Sequence, residues 1–155
     1  MTQSSDLLES TIGVATDSPL ARLRALRGDI VRHTQGSYDV LLRPADPGGL
    51  SLSERTLIAL RTAELSGHAA LAAHYRDLLA ERGAPPSGTR LETILAHVGL
   101  VTKDPRSAAS SNIAALQGVG LNPRDIVALT QIVAFISYQV RTAVGLGLLA
   151  QEMAR

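Results

Sequence analysis

The sequence predicts an all-α fold, a single domain of six to eight helices. Three observations predict it. Aromatic residues make up only 3% of the 155 residues, so the core has to be built from Leu, Ala, Val and Ile, which suits helix packed on helix. No stretch alternates apolar and polar residues long enough to read as a strand. Two polar caps stand directly before prolines, at Ser18-Pro19 and Asn122-Pro123, and each marks a helix start. Hydrophobic residues at 45% and charged residues at 19% are ordinary for a globular chain. A chain of this length makes one domain that buries about 70% of its unfolded surface. Residues 1–17 read as an N-terminal segment with a short helix, and 18–155 as the domain.

The elements follow in order. Residues 1–5 read as loose, and Asp6–Val14 as a short amphipathic helix with Leu7, Leu8 and Ile12 on one side. The helix from Pro19 is expected to turn Leu20, Leu23 and Leu26 inward. Gly28-Asp29 breaks it, and Asp29 caps a helix from Ile30 to about Leu42. Its apolar positions are Ile30, Val31, Tyr38, Val40 and Leu41, and Gly36 weakens it by roughly 1 kcal/mol relative to Ala. Arg43–Leu50, with two prolines and two glycines, is a loop. Ser51 and Glu54 form a capping box that opens the next helix. Gly67 ends that helix, and a second runs from near His68 to Arg82, closed by Gly83. A helix from Arg90 to about Lys103 is expected to bury Leu91, Ile94, Leu95, Val98 and Leu100 or Val101, and stops at Asp104-Pro105. Ser110 or Ser111 caps a short helix, Asn112–Gln117. The last helix begins at Pro123 and reaches Met153, with weak points at Gly145 and Gly147. Between Ile126 and Ala150 it is apolar nearly all round. Such a helix is buried on all sides, which predicts self-association through it.

Charge and composition exclude several function classes. Fifteen basic and 14 acidic residues leave a net charge of +1, so no nucleic-acid footprint is present. Cysteine is absent, which removes disulfides, thiolate metal sites and thiol catalysis. The first ten residues lack the charged and apolar regions of a signal peptide. Gln131, Gln139 and Arg141 interrupt the longest apolar stretch, so no run reaches the about 18 uninterrupted apolar residues of a membrane span. The expectation is a cytoplasmic protein with neither nucleic acid nor membrane as partner.

The helix pair LSLSERTLIALRTAELSGHAALAAHY resembles the core motif of the alkylhydroperoxidase D and carboxymuconolactone decarboxylase family. The C-terminal run from His97 to Leu149, with its Lys-Asp-Pro turn, Gly-Leu-Asn-Pro start and Tyr-Gln-Val-Arg, resembles that family's peroxidase-related branch. Together the likeness spans roughly residues 19–150, and it implies a homo-oligomeric alkylhydroperoxidase D-like helical bundle. The redox members carry a Cys-x-x-Cys pair at the start of the second helix. A His follows one turn later, and a Glu stands on the helix before. One thiol attacks peroxide and the other resolves it, while Glu and His relay the proton. Placed on this sequence, the two Cys fall on His68 and Leu71, the His on Tyr75 and the Glu on Thr56. All four are replaced, so the family's thiol route to peroxide reduction is closed.

What remains still has geometry. Positions 68, 71 and 75 share one helix face, since seven residues return within about 20°. Thr56 is expected to face them across a pocket holding one imidazole, one phenol and one hydroxyl. The plainer reading is that these residues fill a retired pocket. Other pocket candidates are His33, Tyr38, Arg61, His74 and Arg141. His74 sits one residue from the family's His position and reads more simply as a structural or surface histidine. His33 and Tyr38 belong to a polar cluster with Arg32 and Gln35. Arg61 pairs with Glu64 one turn on, or binds an anion. Arg141, in an apolar helix, needs an acid such as Glu64 or Asp125, or a carboxylate ligand. His97 reads as half-buried or surface.

Three functions follow as expectations. The first is a binding or assembly module, with itself or a cysteine-containing homologue as partner. The second is a cysteine-independent acid–base enzyme on a small carboxylate, using His68 and Tyr75 with Arg61 or Arg141 as anchor. The third is a metal site through His68 and His33. No cofactor and no metal are assigned.

Overall fold

The computed structural model describes residues 7–155. The expectations for residues 1–5 and for Asp6 lie outside the described residues. The described chain is all-helical and contains no strand. In chain order the helices are α1 (Leu7–Thr11), α2 (Pro19–Ala25), α3 (Gly28–Leu42), α4 (Leu52–Leu65), α5 (Ala69–Arg82), α6 (Thr89–Lys103), α7 (Ser110–Gly118) and α8 (Pro123–Met153), with a single 3-10 turn at Pro105–Ser107.

Helix α4 is the centre, packing against α5, α8 and α6. Ile58, Ala59 and Ala63 on it have no solvent exposure. Its polar residues Thr56 and Thr62 are equally buried, and the Thr62 hydroxyl donates to the Ile58 carbonyl at 2.8 Å. Leu71 and Tyr75 of α5, Ile94 and Val98 of α6, and Leu129, Ile132 and Ile136 of α8 close the core around it.

Helix starts follow their caps. The Ser18 hydroxyl accepts from the Ala21 N–H. Asn122 accepts from the Asp125 N–H at 3.0 Å while Asp125 takes the Asn122 N–H, a reciprocal box at the head of α8. Three expectations shift. Helix α3 begins at Gly28 and not at Ile30, because the chain turns already at Leu26-Arg27. Helix α7 begins at Ser110, and the Asn112 side chain, not a serine, takes the Ala109 N–H. Gly145 and Gly147 leave α8 unbroken.

The inward face of α2 also differs. Leu20 and Ala21 are buried, whereas Leu23 is 50% and Leu26 78% exposed. Only seven residues long, α2 presents a single turn to the core. On α3, Ile30 and Val40 face out and Tyr38 and Leu42 face in.

Helix α8 departs most from a helix buried on all sides. By length and composition it would suffice to cross a membrane, yet only 39% of its most apolar window is buried. One face packs on the bundle and the opposite face is open.

Candidate functional site

The α4–α5 junction is built as its residues require. Ser51 accepts from the Glu54 N–H at 3.2 Å, and Glu54 takes the Ser51 N–H at 2.8 Å. Helix α4 ends in a turn whose Gly67 has φ +74°, a left-handed conformation that side chains resist. His68 then caps α5, its Nδ1 accepting from the Leu71 N–H at 3.3 Å. With Nδ1 spent as an acceptor, the neutral ring carries its proton on Nε2.

Behind His68 the four positions part company. Thr56, Leu71 and Tyr75 have no solvent exposure at all. The Tyr75 hydroxyl donates to Gln139 Oε1 at 2.5 Å, joining α5 to α8 inside the core. The Thr56 hydroxyl donates to the Leu52 carbonyl at 2.7 Å and accepts from Arg82 Nη1 at 2.6 Å. The expected pocket shared by Thr56, His68, Leu71 and Tyr75 is therefore filled, with both hydroxyls engaged in structural bonds. Burial, and then the neighbouring Tyr38, push the Tyr75 phenol far above its ordinary range, so it cannot serve as an acid or base near neutrality.

Tyr38 and His74 come together beside this core. The Tyr38 hydroxyl lies 3.2 Å from His74 Nε2, linking α3 to α5. The Arg43 guanidinium sits 5.3 Å over the Tyr38 ring, and the His74 ring meets Tyr75 edge-on at 4.9 Å. Burial raises the Tyr38 pKa against the pull of Arg43 and Arg82. Burial first, and Arg43 next, hold His74 below the usual imidazole value. His74 is thus a half-buried structural histidine, its Nε2 committed to Tyr38.

The remaining candidates lie apart. His33 is exposed and lines a shallow groove of 280 Å³ with Ile30, Thr34, Ser37, Phe135 and Tyr138. His68 lines a different groove of 490 Å³, walled by Thr11, Ile12 and the end of α8 from Ala143 to Ala154. The two histidines thus face separate grooves, which removes the metal pair. Arg61 lies on the outer face of α4, 3.6 Å from Glu64. Glu64 also pairs with Arg76 at 3.1 Å, and the Asp125 carboxylate accepts from backbone N–H groups. Neither acid serves Arg141, which is exposed and takes part in no ion pair among the described residues. His97 is buried, with its Nδ1 lacking a partner, and burial lowers its pKa.

The sequence reading missed the residues that hold the site shut. Gln139 was legible only as an interruption of α8, yet it falls on the buried stripe Ile132, Ile136, Ala143, and that spacing marks it. The sequence places Arg82 only as the last residue of its helix, yet its Nη1 donates to the Thr56 hydroxyl. Arg55 is 5% exposed and donates to three carbonyls, Leu50, Leu41 and Pro47, at 2.9–3.0 Å. Arg90 bonds Glu54 at 2.9 Å and the Gly49 and Val119 carbonyls. These arginines pin the loop before α4.

No family model and no curated protein matches the sequence. Among solved structures, the crystal structure of an uncharacterized peroxidase-related protein from Silicibacter sp. TM1040 is similar, with a TM-score of 0.57 and 22% identity. The match covers 74% of this chain and 66% of that one. A likeness at this identity speaks for the shared helical fold alone.

Proposed function

We propose that this chain is an alkylhydroperoxidase D-like and carboxymuconolactone decarboxylase-like protein that has given up peroxide chemistry and acts as a binding or assembly module. The observation that carries the reading is the sealed interior at three of the four redox positions, Thr56, Leu71 and Tyr75. Leu71 and Tyr75 have no exposure, Tyr75 is bonded to Gln139, and Thr56 is bonded to Arg82. A group with no access to solvent and its hydroxyl already committed has nothing to offer a substrate. The chain also has no cysteine with which to form or resolve a sulfenic acid. Its partner in this reading is a second copy of itself, or a thiol-bearing relative of the same fold.

The test is direct. The purified full chain is given hydrogen peroxide or an organic hydroperoxide with a dithiol reductant. Consumption is expected to match the protein-free blank. Turnover abolished by His68→Ala would overturn the reading.

A second reading rests on His68 alone. Its Nδ1 is held by Leu71 and the ring borders an open groove, as acid–base chemistry on a small carboxylate would require. Turnover of such a substrate, lost in His68→Ala and kept in Tyr75→Phe, would establish this reading over the first.

A further inference from the structure

The outer face of α8 has a pattern that the fold of one chain does not explain. Tyr138, Arg141, Gly145, Leu148 and Glu152 recur at alternating steps of three and four, and every one of them is exposed. That spacing is the seam of two helices packed side by side. Leu148 is 60% exposed. Gly145 sits mid-helix, where glycine weakens the helix, and an added Cβ there would meet nothing within 4 Å. Among the described residues nothing requires a glycine at that position.

We infer that α8 pairs antiparallel with α8 of a second copy, about a two-fold axis between residues 146 and 147. In that register Arg141 of one copy faces Glu152 of the other, twice, and Leu148 of each packs over Gly145 of the other. The charge pattern selects the direction, since a parallel pair would set Arg141 against Arg141. Arg141 has no ion pair among the described residues of its own chain. Among the described residues Glu152 pairs only with Arg155 at the solvent-exposed terminus, at 2.7 Å, a pair too exposed to compete strongly. A missing side chain at position 145 lets the helices approach closely, as facing small residues do. Val144 and Leu148 also wall the His68 groove, so the second copy stands at the margin of that groove. This inference rests on the assembly reading, and it specifies the surface and the register.

Charge reversal tests it in the full chain by sedimentation velocity across a concentration series. The wild type is expected to dimerise at micromolar concentrations. Arg141→Glu and Glu152→Arg should each weaken the dimer at least tenfold, and the double variant should recover most of that loss. Both sites are solvent-exposed, and unchanged helical circular dichroism checks the fold. A dimer indifferent to either reversal, or a double variant no better than the singles, overturns the register and leaves self-association standing. A wild type monomeric throughout the series, or one that floats with phosphatidylcholine vesicles through α8, overturns the pairing itself. The peroxide assay is independent of all these outcomes.

Discussion

The Tyr75 hydroxyl donates to the Gln139 side chain at 2.5 Å in a region with no solvent, tying α5 to α8. Tyr75→Phe keeps the ring but leaves the Gln139 amide oxygen unsatisfied, a cost of about 1–3 kcal/mol. Gln139→Leu strands the phenol in the same way. The double variant removes both polar groups, so it should be more stable than the sum of the singles implies. Urea unfolding of the four proteins measures the coupling, and strict additivity would mean that the bond contributes nothing.

Gly49 and Asp125 make a second close contact. The Gly49 N–H donates to Asp125 Oδ1 at 2.8 Å, and an added Cβ at Gly49 would lie 2.3 Å from Asp125 Oδ2. Asp125 cannot swing away, because its carboxylate also accepts the Asn122 N–H at the head of α8. Gly49→Ala should therefore destabilise by about 1–3 kcal/mol through overpacking. In the Asp125→Ala background the same change meets no carboxylate and should cost far less. Thermal unfolding of the single and double variants decides between a local clash and a general loop effect.

How much was legible follows from where each signal resides. Caps are local, so Ser18, Ser51, Gly67 and Asn122 could be read directly and hold their places. Burial is a property of the whole bundle. Leu23 and Leu26 continue the spacing of Leu20, yet they face out because α2 ends before a second inward turn. The site divides in the same way. The shared side of residues 71 and 75 is helix geometry and was readable. That Gln139 would fill the space opposite, across 64 positions of sequence, was not. Nor was Arg82 closing over Thr56 from the far end of α5. A long-range partner leaves no periodic trace beside the residue it satisfies.

Stability should fall below neutrality through the half-buried His74 and the buried His97. Burial lowers the His74 and His97 pKa values from the ordinary 6.5 in the folded chain. Between the lowered value and 6.5 the unfolded chain binds more protons, so stability rises with pH there. The stability tied to these two groups is thus fully present above about 6.5 and drains away as the pH falls below it. Once protonated, His74 can only donate to Tyr38 through Nε2, and the ring adds a cation near Arg43. The urea midpoint is expected to drop from pH 7.5 to pH 5.5, and to drop less in His97→Gln. Equal slopes in wild type and variant would mean that His97 does not contribute.

Arg55 carries the last prediction. Its side chain is 5% exposed and reaches three main-chain oxygens, with Nε on Leu50, Nη1 on Leu41 and Nη2 on Pro47. Those carbonyls come from the end of α3 and from the loop leading into α4, so one guanidinium sets the path of the chain between the two helices. The planar fork matters more than the charge. A lysine ammonium is a point donor on a flexible stem and cannot span three diverging oxygens. Burial holds the Arg55 pKa below its usual value, yet a guanidinium stays charged at any pH the fold survives. Arg55→Lys and Arg55→Met are both expected to destabilise by about 2–4 kcal/mol, since each leaves buried carbonyls unsatisfied. Amide hydrogen exchange should show Gly48, Gly49 and Asn122 losing protection first, because the loop they tie together is released while α4 keeps its capping box. If Arg55→Lys retains wild-type stability and protection, the fork is not what holds the loop.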